Sequence, residues 1–340
     1  MTFESNILDV KKMESKKNVR GLIEALKEGN DDVVKYIINV LGDMGDERAV
    51  PPLIKMLGHL NEDIALAVIY SLGKIGEHAV EPLMQKLNNK NKTVQISAAM
   101  ALSLIGKPAV DPLIQALKDR DWRVRKNAAF SLGEIKDKKA VEPLINTLKN
   151  GDKHICHEYE LNMVKENVII ALGKIGSNKA VPILIESLEN ENFCDLTVVK
   201  VLGDIGDERA VEPLKQLIIT HPCHSDTRIE AQLALDNIKI KKMKKEKDLA
   251  GLIILLEHKD WQVREGAAAA LGTIEHTKAV TPLIETLKDE NERVRLNAVL
   301  ALGRIKDERA IKPLKQLLND DNEFVQDSVI ITLKKLENKF

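Results

Sequence analysis

Ala-Val-acid-Pro-Leu, then about ten residues, a polar turn and a run ending in Leu-Gly-x-Ile-Gly: this phrase recurs along the chain and restricts its fold more than any other feature. The Pro-Leu segment occurs as Ala79-Val80-Glu81-Pro82-Leu83, Ala109-Val110-Asp111-Pro112-Leu113, Ala140-Val141-Glu142-Pro143-Leu144, Ala210-Val211-Glu212-Pro213-Leu214 and Ala279-Val280-Thr281-Pro282-Leu283. With Pro52 before them and Pro313 after, the period is 30 or 31 residues wherever no insertion intervenes. Self-similarity at this period marks a solenoid, in which each unit packs only on its neighbours. The 340 residues therefore count repeats instead of globular domains. Ala, Leu, Ile and Val abound and aromatics make up 3% of the chain, which suits closely packed helices.

Each unit reads as two helices. The first opens at an Asp before Glu-Arg-Ala, at Asp46, Asp207 and Asp307. A carboxylate there accepts from free N–H groups and favours the helix dipole. Proline follows in the first turn, where a missing N–H costs nothing. The second helix carries apolar residues at helical spacing, as in Val124, Ala128, Ala129, Leu132 and Ile135, and ends at a Gly that can adopt a left-handed conformation. The Gly after Leu, at Gly42, Gly73, Gly133, Gly173, Gly203, Gly272 and Gly303, costs about 1 kcal/mol of helix propensity, so its repetition implies close helix approach.

This register divides the chain into ten units: 18–46, 47–76, 77–106, 107–137, 138–177, 178–207, 208–240, 248–276, 277–307 and 308–340. Lys241-Lys242-Met243 before Gly251 repeats Lys11-Lys12-Met13 before Gly21, so the eighth unit begins as the first does. The expected organisation is a capping segment at 1–17, an array of seven repeats at 18–240 with an insertion near 150–163, and an array of three at 241–340. The basic stretch from Lys239 to Lys247 is the joint.

A formal charge of −1 argues against a protein built to hold a polyanion. No apolar run approaches the ~18 to 20 residues of a membrane span, and Met1 to Lys17 is too charged for a signal peptide. Three cysteines do not make a disulfide framework and are expected as reduced thiols in a cytoplasmic protein.

The Ala-Val-x-Pro-Leu, Val-Arg-x-x-Ala-Ala and Ala-Leu-Gly-x-Ile-Gly segments resemble the HEAT repeat family, in particular the short HEAT-like repeats of the phycobilisome lyase type. Val124-Arg125, Val263-Arg264 and Val294-Arg295 fit the middle segment, and the match covers nearly the whole chain. The resemblance implies an all-α fold, a right-handed α-α superhelix of about ten two-helix repeats whose second helices line a concave surface. The class includes bilin attachment, deoxyhypusine hydroxylation, DNA glycosylase relatives and adaptors without chemistry, so it fixes fold more than function. Deoxyhypusine hydroxylases place His-Glu pairs in four repeats to hold two irons. This chain has one such pair, His157-Glu158, in the insertion, and Arg264-Glu265 stands nearest the usual helix position. For bilin attachment it offers nothing beyond the scaffold.

In the frame Val-Arg-x-x-Ala-Ala-x-Ala-Leu-Gly, the x positions should face the groove, where Lys, Glu and Gln are expected if nothing binds. Instead they include Leu66, Tyr70, Ile96, Met100, Phe130, Ile170, Leu196, Ile229 and Leu233, and Trp122 stands at the mouth of its helix. An exposed apolar strip of this kind marks a binding surface for a protein partner; packed against neighbouring helices, the same residues are core. Acidic groove positions such as Asp31, Asp32, Glu62, Asp63, Asp226 and Glu230 outnumber cations like Arg123 and Lys126, which disfavours nucleic acid.

A second cluster lies in the turns of three consecutive units: His154, Cys156 and His157, then Cys194, then His221, Cys223 and His224. Equivalent turns of stacked repeats share one edge, and thiolate and imidazole in sets of four suit zinc or an iron–sulfur centre. The spacing matches no established metal motif, and Cys194 occupies a register otherwise held by a buried Val. No catalytic carboxylate pair, nucleophile triad or phosphate loop stands out. The sequence thus favours a non-enzymatic scaffold or adaptor without cofactor, with a metal- or cofactor-holding maturation factor or enzyme as the alternative.

Overall fold

A computed structural model describes residues 3–27, 29–150, 158–188, 195–220 and 225–337. These residues are mostly helical and include no strand. After the helix Phe3–Ser15, the described residues form ten successive pairs of helices. Their second helices are Asp31–Met44, Glu62–Ile75, Lys92–Ile105, Trp122–Ile135, Glu158–Ile175, Asp195–Ile205, Ser225–Glu246, Trp261–Ile274, Glu292–Ile305 and Glu323–Glu337. The expected all-α repeat architecture is therefore present. The chain forms two compact bodies, 1–197 and 198–340.

The entry to each repeat is set by its Asp and its Pro. Asp46 accepts from the Arg48 N–H at 2.9 Å, and Asp207 and Asp307 accept from Arg209 and Arg309 at 3.0 Å. The backbone beyond the Asp departs from a simple helix start. Glu47–Ala49, Glu208–Ala210 and Glu308–Ala310 are single 3-10 turns, and the α-helix begins at the next residue, as in Val50–Lys55. The proline at the third helical position has no N–H to donate four residues back into the turn, so the turn closes through tighter bonds such as Ala49 N–H to Asp46 O at 3.0 Å.

The core is built by the repeated leucines. Leu53, Leu83, Leu113, Leu144, Leu214, Leu283 and Leu314 of the Pro-Leu motif are fully buried, as are Leu41, Leu72, Leu132, Leu172, Leu202, Leu271 and Leu302 of the Leu-Gly motif and Leu102 before Ser103. Each contributes about 1.5 to 3 kcal/mol of transfer free energy. Between them, successive second helices approach at the predicted glycines. A Cβ on Gly133 would lie 2.7 Å from the Ala171 Cα, on Gly203 2.8 Å from the Ala234 Cα, and on Gly272 2.7 Å from the Ala301 Cα.

Arginines of the Val-Arg segment tie repeats together. Arg264 is buried, donates to both carboxylate oxygens of Asp289 at 2.7 and 2.9 Å, and donates to the His258 carbonyl at 2.9 Å. Arg295 repeats this with Asp320 at 2.8 Å and the Asp289 carbonyl at 3.0 Å. Each guanidinium joins the turn of its own hairpin to the turn of the next.

The shared sequence at Lys11 and Lys241 corresponds to one shared turn. Lys17 and Lys247 both have positive φ, 51° and 56°. The N–H groups of Asn18 and Asp248 donate to the carbonyls of Met13 and Met243, both at 2.8 Å. The side chains of Asn18 and Asp248 then cap Gly21 and Gly251, at 3.0 and 2.9 Å. The basic stretch from Lys239 is helical through Glu246 and breaks at Lys247.

Candidate functional site

The second helices of repeats two to four, Glu62–Ile75, Lys92–Ile105 and Trp122–Ile135, each turn one stripe at helical spacing away from the core. In the second repeat it runs Glu62, Leu66, Tyr70 and Lys74; in the third Lys92, Ile96, Met100 and Leu104; in the fourth Trp122, Lys126, Phe130 and Glu134. Leu66, Tyr70, Ile96 and Leu104 are 44%, 56%, 42% and 49% exposed, values that packing against the next helix would not leave. Met100, Trp122 and Phe130 are half-buried.

Four of the sequence-derived residues meet around one depression of about 400 Å³: Leu66 and Tyr70 from the second repeat, Met100 from the third and Phe130 from the fourth. Ile69, Ser103, Leu104 and Glu134 complete its lining. Ile96 stands one turn before Met100 and Trp122 two turns before Phe130, outside the depression but on the same stripe. Ile170, half-buried, belongs to the helix Glu158–Ile175. Leu196 and Ile229 are exposed, at 42% and 58%, whereas Leu233 packs against the hydrophobic core of residues 198–340. Leu104 and Ser103 are not among the site residues expected from the sequence, although Ser103 departs there from the repeated Gly. Their signal was the loss of Gly at position 103, where the Ser hydroxyl now donates to the Ala99 carbonyl at 2.8 Å.

Charge is distributed unevenly on this face. Where the helices end, Lys74 meets Asp43 at 2.6 Å and Lys174 meets Glu134. The Lys174 amine also lies 5.5 Å from the centre of the Phe130 ring. Where the helices begin, Asp63 faces Lys35 at 3.3 Å and Asp31 accepts from Asn61 at 2.7 Å. Arg123 is held by Asp121, and that hydrogen bond keeps the Asp121 carboxyl below the usual carboxylate range. Lys126 lies 5.5 Å from the Trp122 ring centre. Burial, and then the charge of Lys92, push its amine below the ordinary lysine value.

A second depression, of about 290 Å³, lies within the other body. Gly266, Ala269, Ala270 and Leu300 line it, with Lys241, Lys244 and Arg304 also contributing. The seven His and Cys candidates, His154, Cys156, His157, Cys194, His221, Cys223 and His224, lie outside the described residues. Among the described residues no group of three or more His, Cys, Asp or Glu side chains is arranged to hold a metal ion. Arg264 and Glu265, nearest the hydroxylase ligand position, have structural partners: Arg264 is tied to Asp289, and Glu265 accepts from Asn297 at 3.2 Å. No helix among the described residues is long and apolar enough to cross a membrane.

A family profile for HEAT repeats matches residues 19–83, 80–158, 163–236 and 249–334. The chain belongs to the HEAT repeat family. Solved structures similar to this HEAT protein include the complex of CpcE and CpcF of phycocyanin lyase from Nostoc sp., at 22% identity over 75% of this chain and 94% of that one, with a TM-score of 0.42. Human deoxyhypusine hydroxylase in complex with glycerol is 23% identical over 77% of this chain and 97% of that one, TM-score 0.32. YibA of Escherichia coli is 24% identical over 79% and 96%, TM-score 0.38. No curated protein matches the HEAT chain in sequence.

Proposed function

We propose that this protein is a non-enzymatic HEAT repeat scaffold that holds a segment of another protein along the second-helix face of repeats two to four. The observation that carries this reading is the convergence of Leu66, Tyr70, Met100 and Phe130, from three successive repeats, on one depression, with Leu66 and Tyr70 exposed in the free chain. Exposed aliphatic and aromatic side chains on a rigid element supply the anchors on which protein interfaces concentrate their energy. The helices that present them are fixed by fully buried leucines and close glycine contacts, so binding requires little reordering of the scaffold. The three cysteines, too few for a disulfide framework, favour work in a reducing compartment.

The test is affinity capture from the lysate of the native host with mass spectrometry, comparing the natural chain with the triple variant Leu66→Glu, Ile96→Glu, Phe130→Glu. The reading expects a partner recovered by the natural chain and lost by the variant, with the far-UV circular dichroism of the two unchanged. Because Phe130 is half-buried, the double variant Leu66→Glu, Tyr70→Glu, placed at two exposed positions, provides the same test with less risk to folding. Equal recovery of the partner by all three chains refutes the reading.

A further inference from the structure

The face of repeats two to four is apolar along its middle, and its two ends differ in charge. At the end where the helices finish, cations and anions neutralise one another in the pairs Lys74–Asp43 and Lys174–Glu134. At the end where they start, Lys92 and Lys126 stand one helical turn before Ile96 and Phe130, and neither amine forms an ion pair with a described residue. The neighbouring Arg123 is already held by Asp121. In the second repeat this level is acidic, with Glu62 and with Asp63 facing Lys35. The two amines without an ion-pair partner therefore lie over repeats three and four, between Glu62 of the repeat before and Glu160 of the repeat after, whose charge acts on Arg123. Lys126 is also partly desolvated against the Trp122 ring and close enough to Lys92 for the two charges to repel.

Resting on the protein-binding reading above, we propose that the occupant is an amphipathic helix with an acidic side chain one to two turns from its apolar anchors, its carboxylate seated at Lys92 and Lys126 and its anchors in the depression at Met100 and Phe130. The spacing is dictated by the scaffold. Lys126 precedes Phe130 by four residues and Lys92 precedes Met100 by eight, which at ~1.5 Å per residue separates the charged level from the apolar level by about 6 to 12 Å. A helix laid parallel to these second helices covers that distance in four to eight of its own residues. One carboxylate relieves the repulsion between both amines and gains charge-assisted hydrogen bonds, whereas a lysine at that place would add a third like charge. The balanced pairs at the other end give no comparable preference, so the charge fixes the direction of the bound segment.

A displayed library of helical peptides, randomised on one face, is panned against the full chain, against Lys92→Glu with Lys126→Glu, and against Leu66→Glu with Tyr70→Glu. The natural chain should enrich peptides carrying Asp or Glu four to eight residues from paired apolar side chains. A synthetic peptide of that kind, followed by fluorescence anisotropy, should bind the double-lysine variant at least about tenfold more weakly. Replacing its acid by Lys should restore binding to that variant alone. Enriched peptides that need Leu66 and Tyr70 but carry no acid, or that ignore the lysine reversal, overturn this inference and leave the protein-binding reading standing. Failure to enrich any peptide, or enrichment indifferent to Leu66 and Tyr70, overturns both. Lys92→Gln with Lys126→Gln, which should weaken binding in the same direction, decides the matter if the reversed variant does not fold.

Discussion

Two glycines of one helix should respond differently to the same substitution. Gly266 and Gly272 both lie within Trp261–Ile274, and Gly→Ala in a helix interior gains about 1 kcal/mol of propensity at either position. A Cβ on Gly266 would meet only the Ile240 Cδ1 at 3.1 Å, the end of a side chain that can turn aside. On Gly272 it would meet the Ala301 Cα and Cβ, each at 2.7 Å, and a backbone atom cannot turn aside. Ordinary carbon contacts lie at ~3.5 to 4.0 Å, so the two helices must part by about 1 Å, and overpacking of this kind costs about 1 to 3 kcal/mol. Gly266→Ala should therefore stabilise by roughly 0.5 to 1 kcal/mol, and Gly272→Ala should be neutral or destabilising by up to about 2 kcal/mol. Because the propensity gain is common to both, their difference isolates the steric cost. At a urea slope near 2 kcal/mol/M, a difference of about 2 kcal/mol separates the two midpoints by about 1 M. Hydrogen exchange in Trp261–Ile274 and Glu292–Ile305 would localise the loss to the two packed helices, as nearest-neighbour stability in a repeat array requires. If Gly272→Ala proves as stable as Gly266→Ala, the close approach of successive helices is not what the repeated glycine serves.

Arg295→Ala would leave the Asp320 carboxylate buried without its guanidinium and should cost about 3 to 5 kcal/mol; replacing Arg295 and Asp320 together by apolar residues should cost less, as a double-mutant cycle by urea unfolding can measure. Acid should destabilise the fold over a defined range. The Arg48 guanidinium and backbone N–H hold Asp46 down to about 2, and Arg123 and Arg209 lower Asp121 and Asp207. Burial pushes Asp289 and Asp320 up, but the hydrogen bonds from Arg264 and Arg295, joined by backbone N–H groups, leave both below the usual range. Groups depressed on folding stabilise fully above their unfolded value of about 3.9 and lose that contribution as pH falls through the folded value. The urea midpoint should accordingly hold steady from pH 7 to about 5 and fall between about 4 and 2; a midpoint flat across that lower interval refutes the assignment.

The period, the Asp cap and the repeated glycine were legible because each imposes a constraint on the backbone that recurs at a fixed register. Gly272 beside Ala301 shows this: the need for Gly comes from the next repeat, and the next repeat has the same sequence logic. The arginine ties were not legible. Arg264 reaches Asp289 in the turn of the next hairpin, 25 residues on, a separation unrelated to helical spacing, and the Val-Arg pair by itself names no acceptor. The 3-10 entry was hidden for a different reason, since proline near a helix start suits either geometry until the acceptor four residues back is located. On the candidate face, the stripe itself was legible from helical spacing, but its degree of exposure was not. Leu66 is open while Leu233, at an equally apolar position, packs on the core, and this depends on how neighbouring helices cover each residue.

The turn at Lys17, built again at Lys247, gives the chain a seam. The flank of a repeat is apolar and has to be covered by whatever element precedes it. Here the final turns of Ser225–Glu246 meet the next repeat with the geometry by which Phe3–Ser15 meets the first. Whichever of the two helices comes first, the residues after the turn meet the same backbone hydrogen bond and the same cap. The number of repeats before Lys247 can then vary without altering the junction that the following repeats meet.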